Sequence, residues 1–109
     1  MSLACFDKSG SDHVPQTLEL IPVEYLGAPK VWLSKRSNNV VIYGLSKGAE
    51  FALLLASLCG EYDATIALAP SLVVWQGNPK DFSKLMQCPS SWSKDGASVP
   101  FVPYIDSAE

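Results

Sequence analysis

A chain of 109 residues has room for one small domain at most. Its composition, 48% hydrophobic and 17% charged, is that of a globular chain and excludes general disorder. Eight basic against eleven acidic residues leave a charge of −3, which argues against nucleic acid or an anionic membrane as partner, since both need a basic stripe.

The first residues, Met1-Ser2-Leu3-Ala4-Cys5-Phe6-Asp7-Lys8, lack the positive and long apolar regions of a secretory leader. No apolar run reaches the ~18 residues that a membrane-crossing helix needs. An intracellular, cytoplasmic setting is therefore expected. Leu3–Phe6 predicts the end of a buried strand, closed by the polar loop Asp7, Ser9, Gly10, Ser11 and Asp12. From Pro22 to Leu33 the apolar residues Pro22, Tyr25, Leu26, Pro29, Trp32 and Leu33 fall on one helical face. Gly27 and Pro29 predict a break or kink near Ala28, because an interior proline removes a helix bond and costs about 3 kcal/mol.

Ser37-Asn38-Asn39 predicts a turn. Val40-Val41-Ile42-Tyr43 predicts a strand buried on both faces, since it shows no polar alternation. Ala49–Cys59 predicts an apolar helix with Gly60 as its cap, and Ala64–Ala69 a further buried strand stopped by Pro70. Beyond Trp75 the chain is rich in Pro, Ser, Gly and Trp, and an irregular segment is expected. The fold class that follows is α/β, with a parallel sheet of three strands. Cys5, Cys59 and Cys88 have no metal-knuckle spacing and predict reduced, buried thiols; no metal site is expected.

Gly44-Leu45-Ser46-Lys47-Gly48 carries the chemistry. It matches G-x-S-x-G, the nucleophile elbow between strand and helix of α/β-hydrolases. A serine that attacks a carbonyl must be lifted out of the sheet on a tight, strained turn, and the flanking glycines clear space for it. Ser46 is the candidate nucleophile. The backbone N–H of Lys47, at the positive end of the next helix, is the candidate oxyanion donor. A serine also needs a base, normally a histidine oriented by a carboxylate. His13 stands upstream of Ser46, against the chain order of α/β-hydrolases, and reads as a loop residue. The downstream acids Asp63, Asp81, Asp95 and Asp106 precede no histidine, so the triad acid and histidine are absent from this chain.

These segments resemble the C-terminal α/β-hydrolase domain of the acyl-CoA thioester hydrolase and bile acid-CoA:amino acid N-acyltransferase family. The likeness runs through Ile21–Leu26, Tyr43–Glu50 with Leu53–Ser57, Ala69-Pro70-Ser71 on to Val74–Gly77, and Ser90–Ser93, Gly96 and Pro100–Tyr104. It implies a partial α/β-hydrolase fold over residues 1–109, incomplete at both ends, whose missing parts include the family's acid and histidine. It also implies hydrolysis of fatty acyl-CoA to free acid and CoA through a Ser46 acyl-enzyme. CoA enters as part of the substrate, and no cofactor is expected. The amino-acid-transferring branch typically carries cysteine at this place, so a serine favours hydrolysis. By the same resemblance peroxisome or mitochondrion is also open. Two alternatives stand beside this reading: a catalytically silent fragment with a structural or interaction role, and a carboxylesterase or dienelactone-hydrolase-like enzyme. On all three readings the chain alone is expected to be inactive and marginally stable.

Trp75, Trp92, Phe101 and Tyr104 read as packing of the irregular segment, with the lining of an acyl channel as the alternative. Lys30, Lys35 and Arg36 read as a solvated cluster near a helix end, with CoA phosphate binding as the alternative.

Overall fold

The computed structural model describes residues 16–105. The expected strand Leu3–Phe6, and with it Cys5, His13 and Asp106, lies outside the described residues. The chain is of mixed α/β class and divides into two compact units, Val23–Val74 and a second made of Met1–Pro22 with Trp75–Glu109.

The Val23–Val74 unit opens with a 3-10 turn, Val23–Leu26, that passes directly into helix α1, Gly27–Ser34. The expected break is thus present, shifted to the Leu26–Gly27 junction. Pro29 occupies the third position of α1, where a backbone N–H has no acceptor within the helix, so the proline costs no ladder bond. None of α1's residues is buried, and Val31 and Trp32 are both 55% exposed. The apolar face read from the sequence exists, but it is not a core face in this unit.

Strand β2 (Val41–Leu45), helix α2 (Lys47–Cys59) and strand β3 (Ala64–Leu68) form a β-α-β unit with the two strands parallel, in register from Val41↔Ala64 to Leu45↔Leu68. The helix ends as expected: Gly60 takes the left-handed conformation at φ 60°, and its N–H donates to the Ala56 carbonyl at 3.1 Å. Asp63 joins the two strands at their start, accepting from the Val40 N–H at 2.6 Å and donating its own N–H to the Val40 carbonyl at 2.9 Å.

The strands differ from expectation in one respect. Val40, Ile42 and Gly44 are buried, whereas Val41, Tyr43 and Leu45 are half exposed or more, as are Ile66 and Leu68 nearly so. Gly44 abuts the start of α2, so by the two-residue strand period the buried side is the α2 side. There Ala49, Phe51, Ala52 and Leu55 of the helix are buried as well. The opposite side is apolar but open. An uninterrupted apolar run makes a strand fit for burial on both faces; whether the second face is covered depends on neighbouring elements.

The second unit holds structure where an irregular segment was expected. Its sheet has the order β1–β4–β5, from Ile21–Pro22, Trp92–Lys94 and Ala97–Ser98. Strand β1 runs parallel to β4 through Ile21↔Trp92, and β4 pairs antiparallel with β5. Asp95 (φ 51°) and Gly96 (φ 80°) form the two-residue hairpin turn, a conformation that glycine tolerates and Asp accepts more readily than most residues. Trp92 is fully buried and Trp75 stacks on Tyr104 with centroids 5.5 Å apart, so the expected packing is present for these, while Phe101 and part of Tyr104 stay exposed. The buried Gln76 amide is fully used: it donates to the carbonyls of Leu85 (2.5 Å) and Cys88 (2.9 Å) and accepts from the Tyr104 N–H (3.2 Å).

The open side of the β2–β3 pair yields a prediction. Parallel strands with an exposed apolar face associate. Tyr43→Thr combined with Ile66→Thr should lower the aggregate fraction seen by light scattering while the helical circular dichroism stays the same. Unchanged association would show that this face does not drive it.

Candidate functional site

Strand β2 ends at Leu45 and α2 starts at Lys47, leaving a single residue to turn the corner. That residue is Ser46, at φ 53° and ψ −116°. Such backbone angles are sparsely populated for a residue with a Cβ and cost of order 1–3 kcal/mol, so surrounding bonds must hold them. The Ser46 N–H donates to the Leu68 carbonyl at 2.9 Å, continuing the strand ladder by one rung. The Ser46 carbonyl accepts from the N–H groups of Ala49 (3.0 Å) and Glu50 (3.1 Å), starting the helix. A serine at a helix start usually turns its hydroxyl back to cap the helix. Here no capping bond forms, and Ser46 is exposed.

The two glycines of the motif play different parts. A Cβ on Gly44 would meet the backbone of the helix start, 2.1 Å from the Gly48 carbonyl oxygen and 2.7 Å from the Ala49 nitrogen. Gly44 is therefore required by the close approach of strand and helix. A Cβ on Gly48 would meet nothing within 4 Å, which corrects the expectation that both glycines clear space by lacking a side chain.

Ser46 has a strained neighbour. Ala69, the residue after β3, sits at φ 51°, and Leu45 and Leu68 before the two corners are register partners. Two positive-φ corners thus stand side by side at the carboxyl ends of adjacent parallel strands, where open α/β sheets commonly bind ligands.

Lys47 is the first residue of α2, and its N–H belongs to the first turn, at the positive end of the helix dipole. Its side chain turns to Glu50, with Nζ 2.9 Å from Oε1 and 3.1 Å from Oε2. Glu50 is only 4% exposed and also accepts from the Ser71 hydroxyl at 2.9 Å. This buried carboxylate was not singled out in the sequence, although one signal was legible: a glutamate three residues after a lysine, inside an otherwise apolar helix.

Of the candidate acids, the one in the same unit stands away from the corner. Asp63 is bonded to Val40 at the start of the strands, roughly 17 Å from the Ser46 end at ~3.3 Å per residue. In the other unit Asp81 accepts from the N–H and hydroxyl of Ser83 to open a 3-10 turn, and Asp95 belongs to the hairpin turn. Among the described residues no group of three or more His, Cys, Asp or Glu side chains could hold a metal ion. A shallow hollow of about 330 Å3 is lined by Asn78, Phe82, Leu85 and Tyr104 and carries neither carboxylate nor imidazole.

Two members of the basic cluster, Lys30 and Arg36, have local partners. Lys30 pairs with Glu61, whose carboxyl it holds below the usual range by hydrogen bond and charge, and it lies 5.2 Å from the centre of the Tyr62 ring. Arg36 stacks on Trp32 at 3.9 Å and donates to the Trp32 carbonyl, as expected of a cation at a helix end. Of the thiols, Cys59 is exposed, contrary to expectation, and Cys88 is buried. Burial, with Glu19 Oε1 accepting its proton at 3.1 Å, pushes the Cys88 thiol up to about 12.

No family model matches this sequence, and no curated protein or solved structure matches it either. No helix among the described residues is long and apolar enough to cross a membrane.

The corner and the two described thiols yield three predictions. Gly44→Ala should lower stability by roughly 1–3 kcal/mol or more, because backbone on both sides must move, whereas Gly48→Ala should be neutral or slightly stabilising. Equal urea midpoints for the two variants would contradict the close approach at Gly44. At pH 8, iodoacetamide should modify Cys59 and leave Cys88 intact by peptide mapping, since only the thiolate reacts. With its proton held more tightly in the folded state, Cys88 contributes stability that is full below pH 9 and lost as the pH rises toward about 12.

Proposed function

We propose that Ser46 is the nucleophile of an acyl-enzyme mechanism and that this chain is part of a serine-dependent acyl-CoA thioesterase of the α/β-hydrolase fold. The observation that carries the reading is the Ser46 backbone, at φ 53° and ψ −116°, in a one-residue strand-to-helix corner with the side chain exposed. A corner of this kind has a cost and packs nothing, and its chemical use is to present a hydroxyl where a helix dipole begins.

In the proposed sequence, Ser46 Oγ attacks the thioester carbonyl and its proton passes to a general base. The carbonyl oxygen, now negative, is stabilised by the N–H of Lys47. Collapse of the tetrahedral species expels the CoA thiolate, which takes up a proton, and leaves an acyl ester on Ser46. Water then attacks that ester, releasing the free acid and restoring the serine. An oxygen ester is open to attack by water, which favours hydrolysis over transfer to an amine. The acyl-CoA substrate class rests on the sequence resemblance in Tyr43–Glu50 and its flanking segments.

A second reading rests on the carboxylates. Asp63 is engaged with Val40 at the far end of the strands and does not serve Ser46, and Asp81 accepts from Ser83 within its own unit. On this reading the chain carries the corner without the groups that activate it. Loss of triad members typically leaves rates several orders of magnitude below a complete triad.

A labelled fluorophosphonate separates the two readings. The first predicts slow, stoichiometric labelling of the Ser46 peptide that disappears in Ser46→Ala, and, for the full-length protein, fatty acyl-CoA hydrolysed in preference to p-nitrophenyl esters. No labelling supports the silent reading, and labelling that survives Ser46→Ala contradicts the nucleophile assignment.

A further inference from the structure

The charged cluster beside the corner has a geometry that packing alone does not require. Glu50 lies on the packed face of α2, among the buried residues Ala49, Phe51, Ala52 and Leu55. A carboxylate there is costly to desolvate unless its oxygens are bonded. Both are bonded: Oε1 and Oε2 to Lys47 Nζ, and Oε2 to the Ser71 hydroxyl. The Val73 carbonyl lies 2.6 Å from the same hydroxyl, whose single proton is shared between that carbonyl and Glu50 Oε2.

These contacts close a ring. Ser46 donates its N–H to the Leu68 carbonyl. The chain then passes through Ala69 and Pro70 to Ser71, whose hydroxyl donates to Glu50. The Glu50 N–H returns to the Ser46 carbonyl. Both strained residues, Ser46 and Ala69, are members of this ring, and the Glu50 side chain is the link that joins its two halves.

We propose that Glu50 is a positioning residue for Ser46: its buried carboxylate ties the first turn of α2 to the segment after β3 and so keeps both positive-φ corners closed. The consequence for reactivity rests on Ser46 being the nucleophile; the consequence for backbone order does not. Lys47 neutralises the carboxylate within the same helical turn, leaving its side chain committed to structure rather than to substrate.

The test uses the 109-residue chain, with Glu50→Met, which has no side-chain oxygen to accept a bond, and Ser71→Ala as variants that each remove one end of the Glu50–Ser71 link. Amide hydrogen exchange is read at Ser46 and Glu50, with Leu55 in mid-helix as the reference, alongside the fluorophosphonate labelling rate. Either variant should speed exchange at Ser46 and Glu50 about tenfold or more while Leu55 changes less than about twofold, a local opening rather than a global one. Labelling should fall by about tenfold at unchanged probe saturation, the mark of a misplaced hydroxyl rather than of lost binding. Unchanged exchange at Ser46, or an equal rise at Ser46 and Leu55, overturns the positioning role. A wild-type chain that is never labelled but shows the local exchange pattern overturns the nucleophile reading alone and supports the role of Glu50.

Discussion

The approach of strand β2 to the start of helix α2 sets the conditions for everything else in the Val23–Val74 unit. A Cβ on Gly44 would come within 2.1 Å of the Gly48 carbonyl oxygen, so the strand reaches the helix backbone with nothing between them. With that approach fixed, only Ser46 remains to reverse the chain direction, and it does so at a positive φ. The helix start, the ladder bond to Leu68 and the exposure of the serine side chain all follow from that one tight corner.

Strain of this kind persists only where its surroundings over-determine it. At Ser46 the surroundings are bonded rather than merely packed. The N–H is held by β3 and the carbonyl by the first turn of α2, while Glu50 connects the two through Ser71. The βαβ architecture thus places a hydroxyl and the positive end of a helix at the carboxyl edge of the sheet. Those are two of the components acyl transfer needs. Asp63, bonded to Val40 at the far end of the strands, supplies neither the base nor its orienting acid.

The βαβ unit was legible because its signals are local. Val40–Tyr43 and Ala64–Leu68 are apolar runs of strand length, Gly60 is a helix stop, and G-x-S-x-G marks the corner between them. The second unit was less legible for a physical reason: its strands are two or three residues long, rich in serine, and β1 pairs with a strand some seventy positions later (Ile21 with Trp92). One local sign was present in Asp95-Gly96, a pair suited to the two-residue hairpin turn found there. The open side of β2 and β3 was not legible, since an apolar run records what a strand can bury and not what is available to cover it. Glu50 was hidden for the converse reason: a lone carboxylate in an apolar helix shows its value only once Ser71, twenty-one residues later, is seen beside it.

The most direct test of the account is the backbone of Ser46 itself, measured by NMR on the 109-residue chain. A positive φ brings the amide proton close to its own Hα, so Ser46 should show a strong intraresidue amide-to-Hα NOE while Lys47, in the helix, shows a weak one. A weak Ser46 NOE with helical or extended chemical shifts would mean that the corner is not strained, and the functional reading built on it would fall.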